Sequence, residues 1–216
     1  WRKRMKIKLE KRENITRTLS IALTIVSILV ALVFIGLIFQ GAGINPILAY
    51  IMIFHGSLGS IYGLSETIVK MIPILLCSIG LTIAFRAAVF NIGAEGQLLM
   101  GAITSTYIAL YVIPSSPSAI IIPAMFTMGF IAGALWALIP AILKAKLIVN
   151  EVITTLMMNY IAEQLTTYLT TGPWRGTELW GFPYTENIPI QAQLPYIAGT
   201  RIHYPTLIIG LCTTIL

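Results

Sequence analysis

A chain of 216 residues that is 57% hydrophobic and only 10% charged, with no aspartate and a mean hydropathy of +0.87, is composed for lipid and not for water. Soluble domains carry roughly a quarter charged residues. The net charge of +6 sits at one end: residues 1–17 hold eight basic and two acidic side chains, and the six basic residues beyond them are balanced by six glutamates. No folded basic domain follows that run, which argues against nucleic-acid binding and for a juxtamembrane flank on the cytoplasmic side.

The first span is predicted over residues 18–39, which contain no charge and are long enough to cross the hydrocarbon core. The segment Gln40-Gly-Ala-Gly-Ile-Asn-Pro46 should break it on the far side. Residues 47–65 are apolar at first, then interrupted by Gly56, Gly59, Ser60 and Gly63 and closed by Ser65-Glu66. Too short to span, they read as an interfacial or re-entrant helix.

The second span is expected over about 67–88, with Pro73 in its first turns and Lys70 reaching the outer interface. A third over about 94–113 ends at Pro114-Ser-Ser-Pro117. A fourth over about 119–143 carries Gly129-x-x-x-Gly133 and ends at Lys144-Ala-Lys146. Counting crossings from an inside N-terminus brings the fourth span back inside, where the two lysines belong. Lys144, Lys146, Asn150 and Glu151 are therefore expected at the cytoplasmic face.

The fifth span, about 152–171, places Thr155, Asn159, Glu163, Thr166 and Thr170 at steps of 4, 4, 3 and 4. That spacing forms one polar helical face, which should look into a bundle or a wet cavity, either to bond a neighbouring helix or to line a path. Residues 172–203 form a long outer segment with Trp174, Trp180, Phe182, Tyr184 and Tyr196, suited to the aromatic belt or to docking another protein. The run from Pro205 stops at Leu216, short of the about 20 residues a crossing needs, so the last span is expected to be truncated.

Cys77 and Cys212 fall in apolar runs and read as free thiols; no zinc spacing is present, and no G-x-x-x-x-G-K-[ST] loop for phosphate. Catalytic residues, metal ligands and cofactors are not expected on this chain. What stands out is the stretch between the second and third spans. Arg86, Asn91, Glu95 and Gln97 lie among glycines 93, 96 and 101 in an otherwise apolar region. Ionisable groups there are costly. A helix restarting near Gly93 would expose N–H groups that Glu95 could cap while pairing with Arg86; direct contact with a permeating solute is the second reading, and the two are compatible.

Two stretches carry a resemblance. Ala84-Phe-Arg-Ala-Ala-Val-Phe-Asn-Ile-Gly-Ala-Glu-Gly-Gln-Leu-Leu-Met-Gly-Ala102 resembles the signature of permease subunits of ABC importers for nucleosides and simple sugars, in the branched-chain amino acid and ribose permease superfamily. Asn150-Glu-Val-Ile-Thr-Thr-Leu-Met-Met-Asn-Tyr-Ile-Ala162 resembles that family's second signature. Position 88 is Ala where this family often has Gly, and the later motif expected to dock the ATPase is not within these residues.

The resemblance implies an all-α, polytopic transmembrane helical bundle with a broken or re-entrant region, multi-pass in the plasma membrane with its N-terminus cytoplasmic. It implies import driven by separate ATP-binding subunits, a second permease subunit and an extracytoplasmic solute-binding protein as partners. Arg86, Asn91, Glu95, Gln97, Asn159 and Glu163 are then the candidates for a translocation path or gate. Two other classes stay open at this point: a proton-coupled secondary transporter using Glu95 or Glu163, and a membrane scaffold that moves nothing.

Overall fold

The computed structural model describes residues 16–176, 182 and 184–215; the basic flank up to residue 15, Trp180 and Leu216 lie outside the described residues. Seven α-helices follow in chain order: α1 (Arg17–Gly41), α2 (Pro46–Leu58), α3 (Ile61–Arg86), α4 (Ala94–Tyr107), α5 (Ser118–Leu147), α6 (Glu151–Thr171) and α7 (Tyr204–Ile215). Among the described residues there is no β-sheet, only two isolated bridges, Arg175 with Thr185 and Tyr196 with His203. The molecule is all-helical, and α1, α3 and α5 are long and apolar enough to cross a membrane. Helix α6 has 21 residues, but its threonines, Asn159 and Glu163 dilute its hydropathy.

The chain divides into two compact units, residues 1–63 and 64–216. Within the first, α1 and α2 form a hairpin. Gly43 takes a left-handed φ of 77° at the turn, Pro46 starts α2 with a ring already set for helix, and Asn45 caps it by accepting from the amides of Ile47 (3.0 Å) and Leu48 (3.3 Å). Gly36 is buried under Pro46 and Tyr50, and the Tyr50 hydroxyl donates to the Leu32 carbonyl.

The next join corrects an expectation. Glycines 56, 59 and 63 fall at the join of α2 and α3, and α3 begins at Ile61, six residues before the predicted start at 67. A Cβ on Gly63 would lie 2.3 Å from the Gly56 carbonyl oxygen, so only glycine lets the two backbones pass. Pro73 accordingly sits well inside α3 and not in its first turns. Ser65 and Glu66, read as a boundary, are helical: Ser65 is buried, and Glu66 Oε2 faces Arg201 Nη1 at 3.5 Å.

In the second unit α4 is the hub, packed against both α5 and α6. Its seam with α5 consists of small residues at helical spacing. Gly101 and Gly129 meet backbone to backbone, Gly133 lies under the Gln97 carbonyl, and Ser105 donates to the Met125 carbonyl at 2.9 Å. Such seams substitute close dispersion contact for the hydrophobic driving force that lipid does not supply. Trp136 on α5 reaches α6, its indole N–H donating to the Met158 carbonyl at 3.3 Å.

Helix α4 continues as a π-turn over Ile108–Val112, so the element reaches almost to the expected end at 113. There Ala109 and Ile121 are fully buried beneath Ala192, which a short 3₁₀ turn (Ile190–Ala192) brings back from the segment between α6 and α7. That segment is thus folded onto the end of α4 and the start of α5, with Trp174 ring-to-ring against Tyr107 and Tyr111 at 6.2 and 5.8 Å.

Helix α5 ends with Lys144 and Lys146 in its last turn, where cations oppose the negative end of the helix dipole. Ile148 then takes φ 54°, a left-handed cap. Among the described residues, the other non-glycine residue with positive φ is Ala88, at 55°. This is the position where the resembling family often has Gly, and the backbone supplies the reason. An L-residue there costs roughly 1–2 kcal/mol, partly offset by the unfolded-state entropy that glycine brings. Ala88→Gly should therefore stabilise the protein by about 0.5–1 kcal/mol, read as a rise in thermal midpoint.

Candidate functional site: the α3–α4 junction against α6

Between Arg86 and Ala94 the chain leaves helical geometry, and the break is held by side chains from two directions. Locally, Asn91 Oδ1 accepts from the Gly93 amide at 2.9 Å and from Gln97 Nε2 at 3.2 Å. From α6, Thr155 Oγ1 accepts from the Ile92 amide at 3.2 Å. Asn159 does both jobs of an amide: Oδ1 accepts from the Gly96 amide at 2.8 Å, and Nδ2 donates to the Ile92 carbonyl at 2.9 Å. The first turn of α4 is therefore capped across the bundle, not by its own flanking residue, since Gly93 has no side chain to offer.

The glycines make this approach feasible. A Cβ on Gly96 would lie 2.8 Å from Asn159 Oδ1 and 3.1 Å from Asn159 Cα; one on Gly93 would lie 3.0 Å from Thr155 Cβ. Neither has room for a side chain.

A second knot lies beside the first. Lys144 Nζ donates to Glu151 Oε1 at 2.6 Å and to the Ala88 carbonyl at 3.3 Å, tying the end of α5 and the start of α6 to the α3–α4 loop. Asn150 caps α6, its Oδ1 accepting from the Val152 amide at 2.9 Å. The hydrogen bond from Lys144, helped by Glu151's own backbone amide, holds the Glu151 carboxyl below the usual carboxylate range. The pair's contribution is accordingly complete above that range and is lost as pH falls through the lowered pKa. Lys146 is exposed, with no side-chain partner among the described residues.

The candidate residues separate into two groups. Asn91, Gln97 and Asn159, with Thr155, are brought together and use their hydrogen-bonding capacity inside the chain. Arg86, Glu95 and Glu163 are exposed and have no side-chain hydrogen bond or ion pair among the described residues. The expected Arg86–Glu95 pair is absent from that set, and the amide caps take the place foreseen for Glu95. On α6 the buried line runs through Thr155, Met158 and Ala162. Asn159 lies about 40° round from Thr155 and Glu163 about 80°, so the polar stripe passes from packed at one edge to open at the other.

Spacing identified Asn159 as facing inward but could not name its partner, 63 residues earlier. Three further contacts had no sequence signal: Lys144 on the Ala88 carbonyl, Trp136 on Met158, and Glu66 with Arg201. No group of three or more His, Cys, Asp or Glu able to hold a metal is found among the described residues.

Apolar spanning helices, glycine seams and a polar break held inside the fold define a multi-pass helical membrane protein. Residues 63–216 match the family described as "Branched-chain amino acid transport system / permease component", and the chain belongs to that family. It is 36% identical over 195 residues to a glucose ABC transporter permease protein of Haloferax volcanii, covering 90% of this chain and 50% of the relative. It is 37% identical over 145 residues to a guanosine ABC transporter permease protein of Bacillus subtilis, covering 67% and 41%. To a nucleoside ABC transporter permease protein of Lactococcus lactis it is 35% identical over 153 residues, covering 71% and 42%. The chain thus spans half or less of the length of these relatives. No solved structure matches it.

Proposed function

We propose that this chain is the membrane-spanning part of an ATP-driven importer, moving a nucleoside or simple-sugar-like solute into the cytoplasm by alternating access. Separate ATP-binding subunits hydrolyse the nucleotide, a second permease subunit completes the pathway, and an extracytoplasmic binding protein delivers solute. The basic flank and the Lys144–Glu151 knot lie on the cytoplasmic side in this reading. Family membership and the names of the relatives support it, and so does the absence of a phosphate-binding loop from the sequence.

One observation carries the mechanistic part: Arg86, Glu95 and Glu163 are left exposed by this chain. A charge facing lipid near mid-bilayer costs several kcal/mol, about 2.5–3.5 on insertion scales. At that depth such groups face protein or water and not lipid, and these three are the residues assigned to the path. Asn91, Gln97, Thr155 and Asn159 hold the broken end of α4 in register with α6 so that the exposed groups are presented at fixed positions.

The energy source separates this reading from proton-coupled transport through Glu95 or Glu163. In membrane vesicles containing the full complex, uptake of labelled guanosine or glucose should persist with a protonophore and stop when ATP is withdrawn. Uptake abolished by the protonophore in the presence of ATP would transfer the function to the secondary-transporter class. No solute movement by any complex containing the chain would leave only a scaffold.

A further inference from the structure

We propose that a cavity of about 700 Å³ at the end of α4 remote from the junction binds an uncharged, hydroxyl-rich ring: the ribose of a nucleoside or a free hexose. This rests on the importer reading and adds to it a solute-binding position that lies apart from Glu95 and Glu163. The cavity opens between residues 184–194 of the segment between α6 and α7 and the end of α4 and the start of α5, and its volume falls in the range typical of small-molecule sites. One wall is fixed, because the fully buried Ala109 and Ile121 pack under Ala192 and anchor the segment that forms the opposite side.

The lining has the chemistry of a sugar site. Phe126 and Tyr184 bring aromatic surface to the lining, suited to the apolar C–H side of a pyranose or ribose, or to a base. Glu186 and Asn187 both line the cavity, and among the described residues neither side chain has a protein hydrogen bond or ion pair. A carboxylate accepts from vicinal hydroxyls while a carboxamide beside it donates to a ring or carbonyl oxygen, and the bonds to the carboxylate, being charge-assisted, are the stronger kind. His203 Nδ1 lies 2.8 Å from the Leu194 carbonyl, which can only accept, so Nδ1 carries a hydrogen and donates there. Ser105 forms part of the wall on α4, its hydroxyl proton directed to Met125 while its lone pairs stay available.

Charge sets the class of ligand. Among the described residues lining the cavity there is no lysine or arginine, and there is one carboxylate. A phosphorylated solute would meet repulsion from that carboxylate with no lysine or arginine to offset it, so nucleosides and free sugars fit better than their phosphates.

The test uses the full-length protein in membranes, with its native cysteines replaced and Thr185→Cys introduced on the cavity wall. The labelling rate with a water-soluble thiol reagent is measured with and without saturating guanosine, glucose or guanosine 5′-monophosphate. The expected result is at least fivefold slowing by guanosine or by glucose, whichever the complex transports, and none by the monophosphate. Adding Glu186→Gln should raise the concentration for half-protection at least fivefold. A reactive cysteine that neither neutral solute protects would overturn the proposal, as would equal protection by the monophosphate. A cysteine that does not react at all would show the space filled by the rest of the protein, and would overturn it too. Any of these results beside intact ATP-dependent uptake condemns the cavity alone, whereas loss of that uptake in the unsubstituted complex condemns the importer reading.

Discussion

Replacing Asn159 with alanine will destabilise the protein by about 3 kcal/mol, because it strands two backbone groups at once. The Gly96 amide loses its acceptor at 2.8 Å and the Ile92 carbonyl loses its donor at 2.9 Å. The Gly96 amide lies in the first turn of α4, where no intrahelical acceptor reaches it, and the Ile92 carbonyl lies in the break before that turn; water is scarce at membrane depth. The measurement is thermal unfolding of the full-length protein in detergent, where a loss of this size lowers the midpoint by several degrees. Glu163→Gln, one helical turn along, is the matched control. Its side chain has no partner among the described residues, so its midpoint should not move. Equal losses in the two variants would refute the division of the polar stripe into a packed edge and an open one.

The second large effect lies in the α4–α5 seam. A Cβ at Gly129 would lie 2.5 Å from Ser105 Oγ and 3.1 Å from the Gly101 carbonyl oxygen. Gly129→Leu cannot be accommodated without parting the helices, and about 3 kcal/mol or more should be lost. Gly129→Ala is the more informative variant, because its closest clash is with a side chain. Ser105→Ala removes that atom, so the double variant should recover at least half of the loss seen in Gly129→Ala alone. The Gly101 carbonyl stays tight in both, which limits the rescue. Strict additivity in the unfolding midpoints would mean that the helices meet elsewhere.

Much of the helical order is legible in the chain because the signals are local. Pro46 after Asn45, Asn150 before Glu151, and Lys144 and Lys146 ahead of a left-handed Ile148 each mark a helix end by chemistry confined to a few residues. The start of α3 is misread from sequence for the same reason. Three glycines and a Ser-Glu pair look like a helix dissolving, and only the approach of Gly63 to Gly56 shows a join of two helices. Periodicity places Asn159 on an inward face, but a period names a face and not the residue opposite. Glu95 looks like the cap of α4 because carboxylates favour helix N-termini; Asn159, closer in space and far in sequence, takes that place. The cavity beside Ser105 has no sequence signal, since it exists only once Ala192 folds back over Ala109 and Ile121.

Under the proposed function, Glu95 and Glu163 serve the path and not the packing. The most direct test is the initial rate of ATP-driven uptake of guanosine or glucose in proteoliposomes. These hold the full-length protein with the proposed ATP-binding subunits, partner permease and binding protein. Glu95→Gln and Glu163→Gln should each assemble with an unchanged unfolding midpoint and lower that rate at least tenfold. Rates equal to those of the unsubstituted complex in both variants would contradict the assignment.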